Sequence, residues 1–445
     1  MTRRQTFHPI AEIPVDPVRG LVHAHGWQGW TPTATLPVGE YGFRPVEPVM
    51  QTMRYRPERP GPADGFQGEG LLAVSPGPDS PTRVFAAGDG RAEVPSIRAH
   101  LVGERLLITA HLPDDIVDRT LPGPIDGALA AFADDFAVQA GVGALRRPPT
   151  VWCSWYHYFE SVTESDVLEN LRAVGEHDLP VDVIQVDDGW EEEVGDWLTP
   201  SGRFSSLPEL ARRVQADGRR AGLWLSPFVV GARSRLARDH PEWLRGDAGH
   251  NWGQDLYGLD VTHPGAAGYL REVFRTLCEW GFDYFKLDFL YAGALPGERH
   301  SGASPIAAYR EGMALIREAI GPRPYLLGSG GPILPSVGLV DAMRVSPDIA
   351  PHFDAGTGDL SDPGQRAATL STIGRSWQHG RFWVNDPDCL IVRPAVERRA
   401  DWAAIVERHG GLRASSDRIA DLDGWGLETT RRLLSTVPPP TPFAP

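Results

Sequence analysis

Eight short apolar runs occur in order along the last two thirds of the chain, and segments with helical periodicity separate most of them. This alternation is typical of parallel β/α folds, because each helix returns the chain to the start of the next parallel strand. Eight strands are the number that closes a (β/α)8 TIM barrel. The predicted strands are residues 151–156, 183–186, 222–225, 284–288, 325–327, 342–345, 381–384 and 411–414, and the predicted helices are residues 165–174, 207–217, 268–280, 305–320, 367–374 and 395–409.

The N-terminal third of the chain has a different pattern, in which Pro and Gly separate short alternating runs such as residues 98–102 and 105–110. Alternation with a period of two between turn residues predicts antiparallel strands. A helix is predicted at residues 124–140. Since 445 residues exceed the roughly 250 of a TIM barrel, we predict two domains and a tail. These are a smaller β-rich, sandwich-like domain at 1–147, the catalytic barrel at 148–437 and a Pro-rich tail at 438–445.

Composition excludes several classes of partner. The formal net charge of −15 disfavours nucleic acids and anionic membranes, which bind basic surfaces. Cys153, Cys278 and Cys389 form no CxxC pair or other metal-ligand spacing, and no long apolar run follows the N-terminal basic residues. We therefore expect a cytoplasmic protein without a membrane span. Composition predicts no oligomeric state.

Polar side chains gather where the predicted strands end. Asp187 and Asp188 follow the second strand, Asp288 ends the fourth, Asp348 follows the sixth and Asp386 follows the seventh. In a TIM barrel the carboxyl ends of all eight strands open on one mouth, where active sites lie. These side chains are therefore predicted to surround one pocket.

Two of these carboxylates suit cleavage of a glycosidic bond, in which one attacks the anomeric carbon and the other protonates the leaving oxygen. Lys286 and Asp288 share one face of a strand because side chains alternate, and a carboxylate beside a lysine stays ionised, as a nucleophile requires. Asp348 lies between Pro347 and an apolar run, a setting that favours a raised pKa and a retained proton. The alternatives are a structural ion pair for Asp288 and a turn or cap aspartate for Asp348.

Further residues are candidates for binding a sugar. Arg344, four residues before Asp348, is predicted to hold sugar hydroxyls or to orient the acid, with an ordinary salt bridge as the alternative. Asp187 and Asp188 can accept hydrogen bonds from buried hydroxyls. An aspartate pair can also bind a divalent metal, but no His follows at ligand spacing. We therefore predict no metal and no cofactor.

Aromatic and glycine-rich segments add to this site. Among the tryptophans of the barrel, Trp224 and Trp155 are assigned to the pocket because they lie near strand ends, although most barrel aromatics are core. Ser329 and Gly330 lie in a glycine-rich turn that lacks the spacing of a phosphate loop, so close approach of backbone to a sugar is predicted there. His23-Ala24-His25 has the spacing of a metal pair but is expected on the surface.

Six motifs in consistent order resemble glycoside hydrolase family 36, the melibiase-type α-galactosidases, over residues 150–435. The resemblance implies a retaining mechanism with Asp288 as nucleophile and Asp348 as acid/base, about 5 to 5.5 Å apart. The motifs are WCSWY at 152–156, DDGW at 187–190 with GDW at 195–197, GLWLSP at 222–227, RDHPEW at 238–243, KLD at 286–288 and RVSPD at 344–348.

The resemblance also assigns sugar contacts. It implies that Asp187 and Asp188 bind O4 and O6 of galactose, Lys286 binds near O3 and O4, and Arg344 binds near O2. Family members commonly carry a larger N-terminal β-sandwich and a C-terminal β-domain, which is expected to be missing here. Gly328 stands where many relatives have a cysteine, which leaves galactose and N-acetylgalactosamine open as alternatives at O2.

The sequence thus predicts a retaining α-galactosidase that releases terminal α-galactose from small oligosaccharides or glycosides, with a small-molecule sugar as its partner. The alternatives within enzymes are an α-N-acetylgalactosaminidase, a galactosyl transferase of the raffinose synthase type, an α-glucosidase-like relative and a metal-dependent barrel hydrolase. A non-catalytic sugar-binding protein is the alternative of another class.

Overall fold

The computed structural model describes residues 6–436, so the Pro-rich tail predicted at 438–445 lies outside the described residues. The two sequence patterns correspond to two kinds of sheet. Two antiparallel sheets form in the N-terminal region, and one parallel sheet of eight strands follows them. The predicted fold class, a TIM-like barrel preceded by a β-rich region, is therefore confirmed.

The N-terminal region is a sandwich whose sheets have the strand orders β1-β8-β7-β4 and β3-β2-β5-β6-β9. Alternate side chains of both sheets point inward and form one apolar cluster, which includes Val22 and Phe85 from one sheet and Ile97 and Leu106 from the other. The elements are β1 (His8–Pro14), β2 (Leu21–Ala24), β3 (Ala34–Pro37), α1 (Pro48–Met53), β4 (Phe66–Glu69), β5 (Leu71–Ser75), β6 (Thr82–Ala87), β7 (Ser96–Val102), β8 (Arg105–Ala110) and β9 (Ile116–Leu121).

Helix α2 (Ile125–Ala140) joins the sandwich to the barrel. Its buried residues recur at helical spacing, and they include Leu129, Phe132 and Phe136. The helix ends at Gly141, whose φ of 67° is the left-handed conformation that glycine adopts without steric cost. Because the Phe132 ring packs edge-on against Trp377 at 6.0 Å, the helix ties the sandwich to the barrel.

The eight barrel strands are parallel. The first seven pair in chain order, and the eighth pairs with the first. Leu390 closes the barrel, because its N–H donates to the Ala414 carbonyl at 2.7 Å and its carbonyl accepts from the Ser416 N–H at 3.1 Å. The barrel strands are β10 (Thr150–Cys153), β11 (Val183–Val186), β12 (Arg220–Leu225), β16 (Phe282–Leu287), β17 (Tyr325–Gly328), β18 (Ala342–Arg344), β19 (Val384–Asp386) and β20 (Arg413–Ser415), and the excursion between β12 and β16 contains β13 (Val229–Gly231), β14 (Leu244–Asn251) and β15 (Gln254–Leu259).

The helices of the barrel region lie close to their predicted positions. The helix predicted at residues 305–320 coincides with α8, and each end of the other five predicted helices lies within four residues of the observed end. The helices are α3 (Trp155–Tyr158), α4 (Glu164–Glu176), α5 (Leu207–Ala216), α6 (Arg235–Asp239), α7 (Pro264–Glu279), α8 (Pro305–Ile320), α9 (Ile333–Ser336), α10 (Gln365–Gly374), α11 (Arg399–His409) and α12 (Gly424–Ser435).

Two predicted strands differ from the observed strands by three residues at one end. The seventh begins at Val384, three residues after the predicted start, because the aromatic residues before it pack in the core instead of extending the strand. Phe382 packs into the core with its ring 5.5 Å from Phe136 of α2, so the apolar run that predicted a strand is part of the packing under the barrel. The first strand stops at Cys153, since helix α3 starts two residues later.

The excursion between β12 and β16 is a small antiparallel sheet with the order β13-β15-β14. Strands β14 and β15 are joined by a two-residue turn of Trp252 and Gly253, whose φ values are 51° and 64°. Two left-handed residues define a type I′ hairpin, which favours Asn or Asp at the first position. A bulky residue there is sterically costly, so the turn is maintained by what the Trp252 side chain contacts.

The expectation that His23 and His25 lie on the surface is wrong. Both are buried, because the five-stranded sheet packs on the Ser376–Gln378 turn of the barrel. His25 hydrogen-bonds the Glu69 carbonyl at 3.2 Å, and its ring lies 5.8 Å from that of Trp377. Burial lowers the pKa of His23 to about 3. These histidines are therefore neutral packing residues.

Within residues 6–436, no helix is long and apolar enough to cross a membrane.

Candidate active site

A pocket of about 230 Å³ opens where the barrel strands end. Eleven residues were predicted for the site from the sequence, and seven of them line this pocket. The other four, Ser329, Gly330, Arg344 and Asp386, lie behind the lining. The seven lining residues are Trp155, Asp187, Asp188, Trp224, Lys286, Asp288 and Asp348.

Strand geometry places the central pair. Asp288 directly follows β16, and its N–H continues the sheet by donating to the Leu225 carbonyl at 2.8 Å. Because side chains alternate along a strand, Lys286 and Asp288 point to the same side. The residue after them, Phe289, has a φ of 51°, and its N–H donates to Asp288 Oδ1 at 2.9 Å. The backbone therefore fixes the Asp288 carboxylate in the pocket.

Lys286 contacts two carboxylates. Its Nζ lies 3.0 Å from Asp187 Oδ2 and 3.7 Å from Asp288 Oδ2. Burial alone would lower the pKa of Lys286, but Asp187 and Asp288 raise it well above its ordinary value. Trp224 Nε1 donates to the same Asp288 oxygen at 3.1 Å. One cation and one indole N–H thus stabilise the negative charge of Asp288.

Asp187 is held by neighbours on the first two strands of the barrel. Its Oδ2 accepts hydrogen bonds from Gln185 Nε2 at 2.6 Å and from Cys153 Sγ at 3.3 Å. Its own N–H donates to Ser154 Oγ at 2.9 Å. With Lys286 as a further partner of Oδ2, the position of this carboxylate is determined before any ligand binds.

Asp188 is paired with a second carboxyl instead of a cation. Its Oδ2 accepts from Trp252 Nε1 at 2.7 Å, which is the contact that holds a tryptophan in the left-handed turn. Burial and the hydrogen-bonded carboxyl of Glu191 raise the pKa of Asp188 well above its ordinary value, and burial raises the pKa of Glu191. Two buried carboxyls in contact share a proton. No local sequence pattern indicates that Glu191 or Trp252 belongs to the site.

Arg344 contacts three carboxylates at once. Its Nε lies 3.1 Å from Asp386 Oδ2, its Nη2 lies 2.8 Å from Asp388 Oδ1, and its Nη1 lies 3.2 Å from Asp348 Oδ1. Burial opposes its charge, but Asp388 and Asp386 raise its pKa well above the ordinary value. Arg344 is 2% exposed. Its guanidinium therefore does not line the cavity, and it acts on the cavity by contacting Asp348.

Asp348 differs from Arg344 in its exposure. The Asp348 side chain is 36% exposed, and it lines the pocket. The surrounding protein withdraws it from bulk water, and this desolvation raises its pKa above the ordinary value. Arg344 opposes that shift, and the negative charge of Asp288 adds to it. Asp348 thus combines an accessible position in the pocket with a raised pKa.

Asp388 was missed as a site residue, although it belongs to the same polar turn as Asp386. Its Oδ2 accepts from the Ile349 N–H at 2.9 Å and from the Tyr156 hydroxyl. Burial and the neighbouring Asp348 raise its pKa to about 7, against the effect of Arg344. It tethers the segment that follows Asp348, and only the folded barrel places it there.

The remaining predicted residues support the lining residues. The Ser329 N–H donates to the Leu287 carbonyl at 2.8 Å, and the Gly330 carbonyl accepts from the Tyr291 N–H at 2.7 Å. Both contacts hold the loop after Asp288. Asp386 holds Arg344 from behind, as described above.

Much of the rest of the lining was not predicted. Part of it comes from the N-terminal region, part from the hairpin of β14 and β15, and part from the loop before α10. No local pattern distinguishes these residues, because their positions depend on how distant segments pack. They are Trp30, Met50, Met53, Arg54, Glu160, His250, Asn251, Trp252, Phe289, Ser361 and Pro363.

In residues 6–436, no group of three or more His, Cys, Asp and Glu side chains is arranged to hold a metal ion. The four aspartates of the pocket, Asp187, Asp188, Asp288 and Asp348, instead have the protein partners described above.

Comparisons with known proteins agree with this geometry. Residues 144–304 match the family model named Melibiase. Among solved structures, the chain is similar to TtGalA, an alpha-galactosidase from Thermus thermophilus solved in complex with p-nitrophenyl alpha-D-galactopyranoside, with a TM-score of 0.80 and 31% identity. The alignment covers 97% of this chain and 89% of TtGalA.

More distant relatives share shorter segments. The alpha-galactosidase AgaA of Geobacillus stearothermophilus is 25% identical over 232 residues, which are 46% of this chain and 31% of AgaA. The alpha-xylosidase XylQ of Lactiplantibacillus pentosus is 26% identical over 162 residues, which are 33% of this chain and 21% of XylQ. The chain thus covers less than a third of either protein. The AgaA crystal structure has a TM-score of 0.62 at 12% identity and covers 96% of this chain and 61% of its own, which shows a shared fold.

Proposed function

Since this chain belongs to the melibiase-type α-galactosidase family, glycoside hydrolase family 36, we propose that it is a retaining α-galactosidase that releases terminal α-galactose from small oligosaccharides or glycosides. One observation carries the proposal. Asp288 and Asp348 line one pocket in opposite settings, the first beside a cation and an indole N–H and the second with a raised pKa. Retaining glycosidases require one carboxylate and one carboxylic acid in this way.

In the first step the Asp288 carboxylate attacks the anomeric carbon of the bound sugar. As the bond to the leaving oxygen breaks, Asp348 transfers its proton to that oxygen. The products are a glycosyl ester on Asp288, a neutral alcohol and an ionised Asp348. Trp224 and Lys286 contact Asp288 from the side, so they hold its reactive oxygen in position for the attack.

In the second step the ionised Asp348 accepts a proton from a water molecule as that water attacks the anomeric carbon. The ester bond to Asp288 breaks, and Asp288 leaves as a carboxylate. Two inversions give net retention. Arg344 is a positioning residue for both steps, because its Nη1 lies 3.2 Å from Asp348 Oδ1.

The remaining polar lining would bind the galactose ring. Asp187 and Asp188 accept from its hydroxyls at O4 and O6, and Lys286 donates to those at O3 and O4. Trp155 and Trp224 offer flat surfaces to its apolar face. Arg344, Ser329, Gly330 and Asp386 shape the O2 side from behind the lining. We also propose a domain division near residue 147, supported by the antiparallel strands that end at Leu121 and the first barrel strand at Thr150.

The proposal is tested by following hydrolysis of p-nitrophenyl α-galactoside by proton NMR. We expect α-galactose to appear first and to mutarotate later, because retention delivers the α anomer. First appearance of β-galactose would contradict the retaining mechanism. The p-nitrophenyl α-N-acetylgalactosaminide is the matched control for the O2 pocket, and we expect it to be cleaved more slowly. Binding of galactose without cleavage of any aryl α-glycoside would favour a non-catalytic sugar-binding protein.

A further inference from the structure

The N-terminal region supplies one side of the pocket, in addition to packing against the barrel. Helix α1 and the residue after it place Met50, Met53 and Arg54 on the lining. We call these three residues the N-terminal rim. The lining also contains Ser361 and Pro363 of the loop that precedes α10. The pocket is thus built from two distant parts of the chain.

The N-terminal rim is held rigidly. Gln28 Nε2 donates to the Met53 carbonyl at 2.6 Å, and Thr31 Oγ1 donates to the Arg54 carbonyl at 2.5 Å. The Met53 side chain packs directly on Gly249 of the hairpin, where an added Cβ would come within 2.4 Å of Met53 Cγ. The rim is therefore prepared before a ligand binds, as a specific subsite requires.

The same segment is joined to the loop that follows Asp348 in sequence. Asp359 accepts hydrogen bonds from the Val46 N–H at 3.0 Å and from the Tyr55 hydroxyl at 3.3 Å. Arg54 Nη1 donates to Ser361 Oγ at 3.5 Å and forms an ion pair with Asp362. The N-terminal rim and this loop thus form one wall of the pocket opening.

Arg54 is only partly used by these contacts. Its Nη1 is bonded, whereas its Nε and Nη2 make no hydrogen bond to any side chain or carbonyl within residues 6–436. The side chain is 17% exposed and lines the pocket. A guanidinium fork with unused donors is suited to a ligand with several oxygen acceptors.

The charges around Arg54 indicate the kind of ligand. Asp362 neutralises the guanidinium directly, and the pocket also contains the carboxyls of Glu160 and Asp348. An anionic ligand would be repelled by this excess of negative charge. The apolar surfaces of Met50 and Pro363 beside the fork fit a ring with polar edges and an apolar face. A neutral sugar has both properties.

We infer that Arg54, together with Met50, Ser361 and Pro363, forms the subsite for the leaving group and that this subsite recognises the hydroxyls of a neutral sugar. The inference rests on the proposed function. Asp348 protonates the oxygen that leaves, so the leaving group lies on the Asp348 side of the pocket. Arg54 lies on that side, because it contacts Ser361 and Asp362 of the loop whose Gly364 N–H donates to the Asp348 carbonyl at 2.9 Å. Arg54 is therefore a specificity-determining residue that the N-terminal region contributes to the barrel's reaction.

The test compares two substrates that differ in their leaving group. Raffinose leaves a sugar with many hydroxyls, and p-nitrophenyl α-galactoside leaves a flat phenol that needs neither the fork nor a strong acid. We expect Arg54→Met to lower kcat/KM for raffinose about 10- to 100-fold more than for the aryl substrate, as loss of a charge-assisted hydrogen bond implies. Arg54→Lys keeps the charge without the fork, so we expect an intermediate ratio.

Asp362→Asn is the matched control, because it breaks the same ion pair and leaves the Arg54 donors in place. We expect its ratio of the two kcat/KM values to stay within about threefold of wild type, and thermal unfolding of each variant monitors folding. Equal losses on both substrates in Arg54→Met and Arg54→Lys would overturn the inference and leave the proposed function standing. Failure of the wild-type protein to cleave either galactoside would overturn both.

Discussion

Asp288 and Asp348 face one pocket from strands that are two apart in the barrel. The cation beside Asp288 and the cation beside Asp348 are shared with different numbers of carboxyl groups. In the half around Asp288, Lys286 contacts two carboxylates, and an indole N–H adds a further donor at 3.1 Å. In the half around Asp348, Arg344 contacts three carboxylates, and its contact with Asp348, at 3.2 Å, is the longest. Asp348 thus shares its cation with two other carboxyl groups, whereas Asp288 shares its cation with one and has the indole donor in addition.

This difference shows how a barrel can raise the pKa of one aspartate in a cavity that also holds a second. Removal from water raises the pKa of a buried carboxyl unless a cation or hydrogen-bond donor opposes it. Around Asp348 the opposing cation is already occupied by Asp386 and Asp388, and desolvation prevails. Each prediction below removes one member of one half, and the effects are expected to differ in kind.

The largest effect is expected for Asp288→Gly, which removes the nucleophile. We expect hydrolysis to fall by about 10⁴- to 10⁶-fold, as loss of a covalent nucleophile does in other enzymes. Azide fits the vacated space and attacks from the same face, so it should restore turnover of p-nitrophenyl α-galactoside and give β-galactosyl azide. The product anomer is determined by NMR. Rescue that yields the α anomer would show that Asp288 is not the nucleophile.

A smaller and more selective effect is expected for Asp348→Ala, which removes the acid. General acid catalysis contributes about 10²- to 10⁴-fold, and the loss should be larger for raffinose than for the p-nitrophenyl substrate because a phenolate leaves without a proton. The intact Asp288 forms the glycosyl ester, so azide should now give α-galactosyl azide. Opposite azide anomers from the two variants would separate the two halves. Equal losses on both substrates would contradict the acid role.

The sequence predicted the part of this architecture that depends on periodicity. Eight apolar runs separated by helical segments specify the barrel, and strand alternation puts Lys286 and Asp288 on one face. The carboxyl ends of the strands then bring Asp187, Asp288 and Asp348 to one mouth. Where aromatic residues pack under the barrel instead of forming a strand, as at Phe382, the same argument placed the seventh strand too early.

Periodicity could not predict contacts that depend on the packing of distant segments. Arg54 reaches the pocket because the sandwich packs beside the barrel, and nothing in its local sequence indicates this. Trp252 contacts Asp188 only because it adopts a left-handed conformation in a hairpin turn. Asn or Asp would be expected at that position of the turn. Asp388 was left unassigned because the choice between two aspartates of one turn depends on which arginine nitrogen each one meets.

The smallest effect is expected for Asp388→Asn, which leaves both reacting carboxyls in place and changes the charge behind Arg344. Asp388 and Asp348 both contact the Arg344 guanidinium, so they compete for its positive charge. Without that negative charge, Arg344 stabilises ionised Asp348 more strongly, so the pKa of Asp348 should fall. Catalysis needs protonated Asp348, so the proton is lost at lower pH and the alkaline limb of kcat/KM moves to lower pH.

Tyr156→Phe removes the hydroxyl that donates to Asp388 without removing charge, and it should leave this limb nearly in place. A limb that moves to higher pH in Asp388→Asn would show that Arg344 does not divide its charge as the distances indicate.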